Sequence, residues 1–298
     1  MLGLANKCNL RGVEFSIVTP SFRQSKWLKL CVASVADQEG VTLEHIVQDP
    51  GSDDGTLDWL VHDKRVRAYV EKDKGMYDAI NRGFRRSSGD FLAYINCDEQ
   101  FLPGALRTVR DFFQQNPGIE VVFTDTVVIN TDGTYNCHRK AMMPLKTHIW
   151  HRIPVFTCSL FLRRKLLEER GVYLDDRWRD VADVFWVMAM LNQGAPMAVL
   201  HQFTSAFAET GENMNLKPNA RRESEMKLQM APRWIRIMEP AIVLHHRLRC
   251  ITGGFFNQKP FTYSVYTLGD PDRRSTFRVD KPTARWKRPA SAPESAPS

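Results

Sequence analysis

The sequence predicts an α/β protein built on an open, mainly parallel sheet flanked by helices. Three observations predict it. Short β-rich runs alternate with helical patterns, the loops between them are short, and acidic residues recur where the predicted strands end. The composition fits a globular chain: 298 residues, 43% hydrophobic and 25% charged, which excludes wholesale disorder and fibrous repeats. The opening MLGLANKCNLRGVEF has no apolar run long enough for a signal peptide. Nothing later reaches the roughly 20 apolar residues of a membrane-spanning helix, so a soluble, cytoplasmic chain is expected. The six cysteines form no CxxC pair, which favours reduced thiols over a disulfide framework or a zinc cluster.

Residues 14–20 read as a buried strand stopped by Pro20. A helix follows over 26–36, where Trp27, Leu28, Leu30, Cys31, Ser34 and Val35 fall in helical register. Residues 43–49 are the second strand, and 50–56 are a loop full of turn formers. A helix through Leu57, Leu60 and Val61, a third strand over 66–70, a helix over 77–85 and a fourth strand over 91–95 come next. A helix over 105–115 and a strand over 119–124 continue the alternation. The section through His151 is less regular; 156–162 has the composition of a strand, and 181–191 is a strongly apolar helix. Neither a GxGxxG fingerprint nor a Walker A loop is present, which weakens dehydrogenase and ATPase readings.

Charge is unevenly placed. The formal net charge is +7, yet residues 221–298 alone hold 15 basic and 7 acidic side chains, so a near-neutral body carries a basic tail. Within that tail Trp234, Ile235, Ile237, Met238, Ile242, Val243 and Leu244 are mixed with Arg233, Arg236, His245, His246, Arg247 and Arg249. The mixture suits a helix lying on a membrane surface over 221–260, or equally one packed on the main domain with its arginines solvated. The expected organisation is one domain over 1–220, a basic helical C-terminal extension over 221–288, and a disordered Pro/Ala/Ser-rich tail over 289–298.

Four acids, Asp49, Asp54, Asp73 and Asp98, fall at the ends of predicted strands. Singly, such a residue is an ordinary turn former. Together, facing a phosphate-bearing ligand, they would repel it unless a divalent cation intervenes, and hard oxygen donors select Mg²⁺ or Mn²⁺. The run Asn96-Cys97-Asp98-Glu99 ends a strand with two adjacent acids. Open parallel sheets bind ligands at the carboxyl ends of their strands, where these acids fall.

Four blocks carry a resemblance: Thr19-Pro20-Ser21-Phe22; Asp49-Pro50-Gly51-Ser52-Asp53-Asp54-Gly55-Thr56; the stretch from Glu71 through Asp73 and Asp78 to Gly83; and Gly89 through Asp98-Glu99. In this order and spacing they resemble glycosyltransferase family 2, inverting enzymes with the GT-A fold, a Rossmann-like sheet. The resemblance covers residues 13–215. It implies that Pro20 and Phe22 border the nucleobase, that Asp49 accepts from base or ribose, and that Asp73 and Asp78 line the nucleotide pocket. Asp98 would be the metal ligand, with Asn96 and Glu99 beside the nucleotide sugar. It further implies a general base at a helix start, matched by Val181-Ala182-Asp183, with Asp183 the candidate and Asp180 its nearest rival. A helix N-terminus is expected to lower the pKa of Asp183; the plainer reading of that residue is an N-cap. Residues 209–215 resemble the loop that closes over the diphosphate. His148 and His151 lack a third ligand and read as a solvated or acceptor-lining pair.

The implied activity is metal-dependent transfer of a hexose from a nucleoside-diphosphate sugar, UDP before GDP or dTDP, to a cell-envelope or exopolysaccharide glycan on a polyprenyl-diphosphate carrier. No nucleic-acid partner is expected, and the protein would work in the cytoplasm or peripherally on the inner face of the plasma membrane. Two competing readings are a catalytically silent sugar-nucleotide-binding scaffold and a sugar nucleotidyltransferase. The second usually carries a glycine-rich basic phosphate loop near the first strand, where only Thr19-Pro20-Ser21-Phe22-Arg23 stands.

Overall fold

A computed structural model describes residues 12–211, 213 and 217–287. The expectation of a disordered 289–298 tail lies outside the described residues. The first half alternates as the sequence suggests: β1 (Phe15–Pro20), α1 (Ser25–Ala36), β2 (Leu43–Asp49), α2 (Thr56–Leu60), β3 (Arg67–Val70), α3 (Met76–Arg86), β4 (Phe91–Tyr94). Then come β5 (Glu99–Phe101), α4 (Ala105–Gln115), β6 (Val121–Asn130), β7 (Tyr135–Arg139), β8 (Leu160–Arg163), α5 (Lys165–Arg170), α6 (Ala182–Asn192) and β9 (Met197–Glu209). The sheet order is β3-β2-β1-β4-β8-β6-β9-β5, with β7 paired to β6.

Strands β1 to β4 are parallel, so their carboxyl ends share one edge. The other half is mixed: β8 runs antiparallel to β4 and β6, whereas β9 runs parallel to β6. Alternation along each strand divides the core. Phe15 and Ile17 face α1 and α4 with Val35, Leu106 and Phe113, while Val18 faces α3 and α6 with Ile80, Phe84 and Trp186. Burial on both faces is why β1 and β4 read as mainly apolar runs, whereas β3 at the sheet edge is half exposed. Residues 156–162 divide: Thr157–Ser159 make a 3-10 turn before β8 begins at Leu160.

The C-terminal extension corrects the sequence expectation of an all-helical segment. Helices α7 (Pro218–Met230), α8 (Arg233–Ile237) and α9 (Glu239–Thr252) are followed by an antiparallel hairpin of β10 (Phe261–Thr267) and β11 (Asp270–Val279). Tyr263, Val265 and Val279 of the hairpin are buried against Leu102, Val127, Ile129, Ala206 and Ala208. Arg274 adds two hydrogen bonds to Asp37 at the end of α1, so the hairpin is fastened to the main sheet. Among the described residues no helix is long and apolar enough to cross a membrane.

Candidate active site

The four parallel strand ends bring Pro20, Asp49, Asp73 and Asp98 to one edge of the sheet. Short contacts tie them together. The Glu71 N–H donates to the Asp49 carbonyl at 3.0 Å, and the Cys97 thiol to the Pro20 carbonyl at 3.3 Å. Phe22 is 54% exposed beside this edge, and the Arg23 guanidinium lies 5.0 Å from its ring. Arg23 has φ +52°, a conformation that favours glycine, fixed by its N–H to Ser52 Oγ and by a two-bond pair with Asp53.

Asp49 is fully buried and accepts four hydrogen bonds, from Ser21 Oγ, Gly51 N, Ser52 N and Ser52 Oγ. These occupy the lone-pair sites a carboxylate offers, so Asp49 shapes the loop in this arrangement, and a base or ribose contact would require one donor to leave. Asp73 accepts from Gly75 N at 2.9 Å, and no donor among the described residues takes its second oxygen. Burial, with the charges of Asp78 and Asp49, pushes its pKa up despite that bond. Asp78 is opposite in character. Burial works against its charge, but the Lys74 N–H and the Arg82 guanidinium at 2.9 Å hold its carboxyl below the usual range.

Asp98 is half-buried and accepts from Asn213 Nδ2 at 3.2 Å, while Glu99 lies inside and accepts from Asn96 N at 2.7 Å. Burial raises both carboxyl pKa values; the Glu209 charge adds to Asp98, and Asp98 adds to Glu99. Two buried oxygens nearby, Asn96 Oδ1 and Glu209 Oε1, have no hydrogen-bond partner. Unpaired buried oxygens around one carboxylate fit a hard divalent cation, which would give negative charge and orphaned acceptors a partner. Among the described residues no three His, Cys, Asp or Glu side chains form a complete ligand set, so a diphosphate and water would have to complete the shell. In the 209–215 loop, Glu209 ends β9 and Asn213 reaches Asp98, while residues 212, 214 and 215 lie outside the described set.

Burial, then the charges of Asp183 and Glu99, push the Tyr94 hydroxyl pKa up, so both acids act on this ring. Asp183 is the second residue of α6, not its cap, and its carboxylate accepts from Val184 N at 2.8 Å. The expected fall in pKa is overturned. Burial pushes the carboxyl up to about 6, against the Val184 N–H, the Lys227 ammonium and the Tyr77 hydroxyl, all of which favour the charged form. The rival Asp180 is engaged by Asn219 Nδ2 at 2.5 Å, and its own N–H donates to Glu223.

Lys227 and Glu223 were not legible as site residues, because both lie on α7 in the segment that reads as a basic tail. Glu223 accepts from Arg179 N, Asp180 N and Asn219 Nδ2, and thereby ties α7 to the loop that precedes Asp183. His148 is buried, not solvated, and its Nε2 meets His245 Nδ1 of α9 at 2.8 Å.

The model of "Glycosyl transferase family 2" matches residues 16–171, just over half the chain. A "PGL/p-HBAD biosynthesis glycosyltransferase" of Mycobacterium bovis is 25% identical over 251 residues, covering 77% of this chain and 94% of that relative. Residues 1–349 of Staphylococcus aureus TarS, solved with UDP-GlcNAc, superpose with TM-score 0.56 at 16% identity, over 82% of this chain and 75% of that one. The mannosyltransferase PcManGT of Pyrobaculum calidifontis, solved with GDP-Man and Mn²⁺, gives 0.53 at 13% identity, over 80% and 76%. Both structures share the α/β, GT-A-like architecture.

Proposed function

The chain belongs to glycosyltransferase family 2, and from that premise we propose that it transfers a hexose, with inversion, from a nucleoside-diphosphate sugar to a hydroxyl of a cell-envelope or exopolysaccharide glycan on a polyprenyl-diphosphate carrier. What supports this reading most is Asp98 beside the unpaired oxygens Asn96 Oδ1 and Glu209 Oε1, together with Asp183, buried in the first turn of α6 with its pKa raised to about 6. A carboxylate with that pKa is ionised at neutral pH yet a better base than an ordinary aspartate.

In the proposed displacement Asp183 takes the proton of the acceptor hydroxyl as its oxygen bonds to the anomeric carbon. The bond from that carbon to the diphosphate oxygen breaks, and its electron pair leaves with the nucleoside diphosphate. Mn²⁺ or Mg²⁺ bound at Asp98 would supply neutralising charge for the leaving diphosphate. Pro20 and Phe22 would wall the base, and the uncommitted oxygen of Asp73 would accept from a ribose hydroxyl. Asp49 and Asp78 would hold the pocket's loops, with Asn96 and Glu99 supporting Asp98. UDP is placed before GDP because UDP-GlcNAc occupies the TarS structure, although GDP-Man occupies the other neighbour.

The exposed Trp234, Ile237, Leu244, Leu248 and Ile251, interspersed with Arg233, Arg236 and Arg247, support peripheral docking of the 221–260 segment on the inner face of the plasma membrane.

A panel of nucleoside diphosphates and their sugars, with and without Mn²⁺, tests the donor. A ligand at 100 times its Kd stabilises by about 2.7 kcal/mol, a shift of a few degrees in melting temperature. The expected result is stabilisation by UDP and Mn²⁺ together, lost in Asp98→Ala, and transfer lost in Asp183→Asn with donor binding intact. Stabilisation by no nucleotide, or full transfer by Asp183→Asn, would overturn the reading.

A further inference from the structure

Beside the proposed centre lies a cavity of about 170 Å³, walled by Thr124 and Thr126 of β6, the 139–156 segment and α9. Its volume is several times the roughly 30 Å³ share of one water, enough for a phosphate-sized group. The lining includes Arg139, Lys140, Arg152 and His246, and no aspartate or glutamate. Lys140 is committed to the carbonyls of Gly254 and Asn257, and Arg139 is held over the rings of Phe255 and Trp286. Among the described residues no carboxylate reaches Lys140, Arg152 or Arg249 within ion-pair distance. Arg249, next to the cavity, spends Nη2 on the Met143 carbonyl at 2.7 Å and leaves Nη1 buried without a partner.

Arg152 is exposed and Arg249 half-buried, so the unmet demand is local: Arg249 Nη1, shielded from solvent without a partner, is the donor whose burial is costly. Burial first, then the charges of Arg152, Arg249 and Arg139, push the His246 pKa down, as a site short of negative charge requires. Helix α9 buries Ile242 and Cys250 but leaves much of its apolar surface outside. His246, Arg249 and Cys250 turn inward, while Leu244, Leu248 and Ile251 are 58%, 50% and 64% exposed. An unpaired Arg249 nitrogen beside the cavity and an exposed apolar ridge on the same helix match a ligand with an anionic head and a hydrocarbon chain.

The cavity also adjoins the chemistry. Phe156 in its wall packs on Phe207 at 5.1 Å, and Phe207 is the strand partner of Glu99. The next residue, Thr157, hydrogen-bonds the Tyr94 hydroxyl.

We propose that this cavity binds the phosphate or diphosphate group of the acceptor's lipid carrier, gripped by Arg152 and Arg249, with the apolar ridge of α9 set against the hydrocarbon. The carrier assignment rests on the transferase reading above; the anion site rests on the cavity alone. The test uses the full chain with UDP present at saturation to block the donor pocket. Farnesyl diphosphate and free pyrophosphate are titrated separately by calorimetry into the wild type, Arg152→Gln and Arg249→Gln. Because Arg249 is partly buried, the exposed Arg152 variant keeps the test open if Arg249→Gln fails to fold.

The expected result is binding of farnesyl diphosphate despite UDP, weakened roughly tenfold or more in each variant, with UDP affinity unchanged. Tighter binding of farnesyl diphosphate than pyrophosphate assigns a lipid-linked anion; equal binding assigns a free one. No binding to the wild type, unchanged affinity in both variants, or displacement of the probe by UDP would overturn the proposal. Loss of UDP binding with variant-sensitive farnesyl diphosphate binding would sink the donor reading and leave the cavity assignment standing.

Discussion

At the scale of single residues, Asp183 is governed by a contest between burial and its neighbours. Burial raises its pKa, while the Val184 N–H, Lys227 and Tyr77 lower it, and the outcome is about 6. A base must be unprotonated, so kcat/KM should fall as pH drops through about 6 and be level above it. Lys227→Met removes a positive charge that favours the carboxylate, so the acid limb of the profile should move to higher pH. An unmoved limb would show that Asp183 is not the group observed. Asp183→Asn should cut turnover by about 10²–10⁴, the range typical for a general base, while leaving UDP-induced stabilisation intact. Asp183 was legible because an acid at the start of an apolar helix stands out in sequence. The direction of its pKa was not, because burial under Tyr77 and α7 depends on contacts far apart in the chain.

Elements show the same division between local and distant information. Strands β1 and β4 were readable because burial on both faces favours short runs rich in apolar residues. Strand β2 and the half-exposed edge strand β3 were readable from their β-rich runs and flanking turn residues. Strand β9 was not, since Met197–Glu209 mixes His201, Gln202, Thr204 and Ser205 with alanines and owes its existence to the parallel partner β6. The hairpin β10–β11 was hidden inside a segment that composition marks only as basic. Gly83 of α3 shows how tightly the readable part is packed: a Cβ there would lie 2.4 Å from Val18 Cγ1 on β1. Gly83→Ala gains up to about 1 kcal/mol in helix propensity but overpacks the helix–sheet contact at about 1–3 kcal/mol or more. A net loss is therefore expected, read as a lower denaturant midpoint. On α7, Glu223 accepts from two N–H groups ahead of Asp183. Glu223→Ala should cost about 1–3 kcal/mol for the donors left unpaired and, by loosening that loop, should lower kcat more than it raises the donor's KM. Steady-state kinetics with the donor varied would check this.

For the whole molecule, the decisive feature is that the basic C-terminal segment serves two surfaces at once. Its inner side is structural: the Lys227 charge acts on Asp183, and Tyr263, Val265 and Val279 seal one end of the sheet. Removing residues 221–298 would therefore expose core and strip the site, and a change in membrane partition after that deletion would say little about docking. Its outer side is separable. Leu244, Leu248 and Ile251 form one stripe on α9, and each is at least half exposed. Replacing all three with serine removes apolar surface that packs on little else, so folding stability should change by about 0.5 kcal/mol or less per site. If that stripe lies in a bilayer, each buried side chain contributes about 1.5–3 kcal/mol to binding, and losing three should release the protein from anionic vesicles by several orders of magnitude. Added salt should weaken wild-type binding as well, because Arg233, Arg236 and Arg247 flank the apolar ridge and their attraction to anionic lipid is screened. Co-sedimentation of the wild type and the triple variant with phosphatidylglycerol vesicles, beside a melting curve for each, measures both surfaces together. A triple variant that still sediments with the vesicles would show that the ridge is not the docking face. One that melts well below the wild type would show that the ridge belongs to the core.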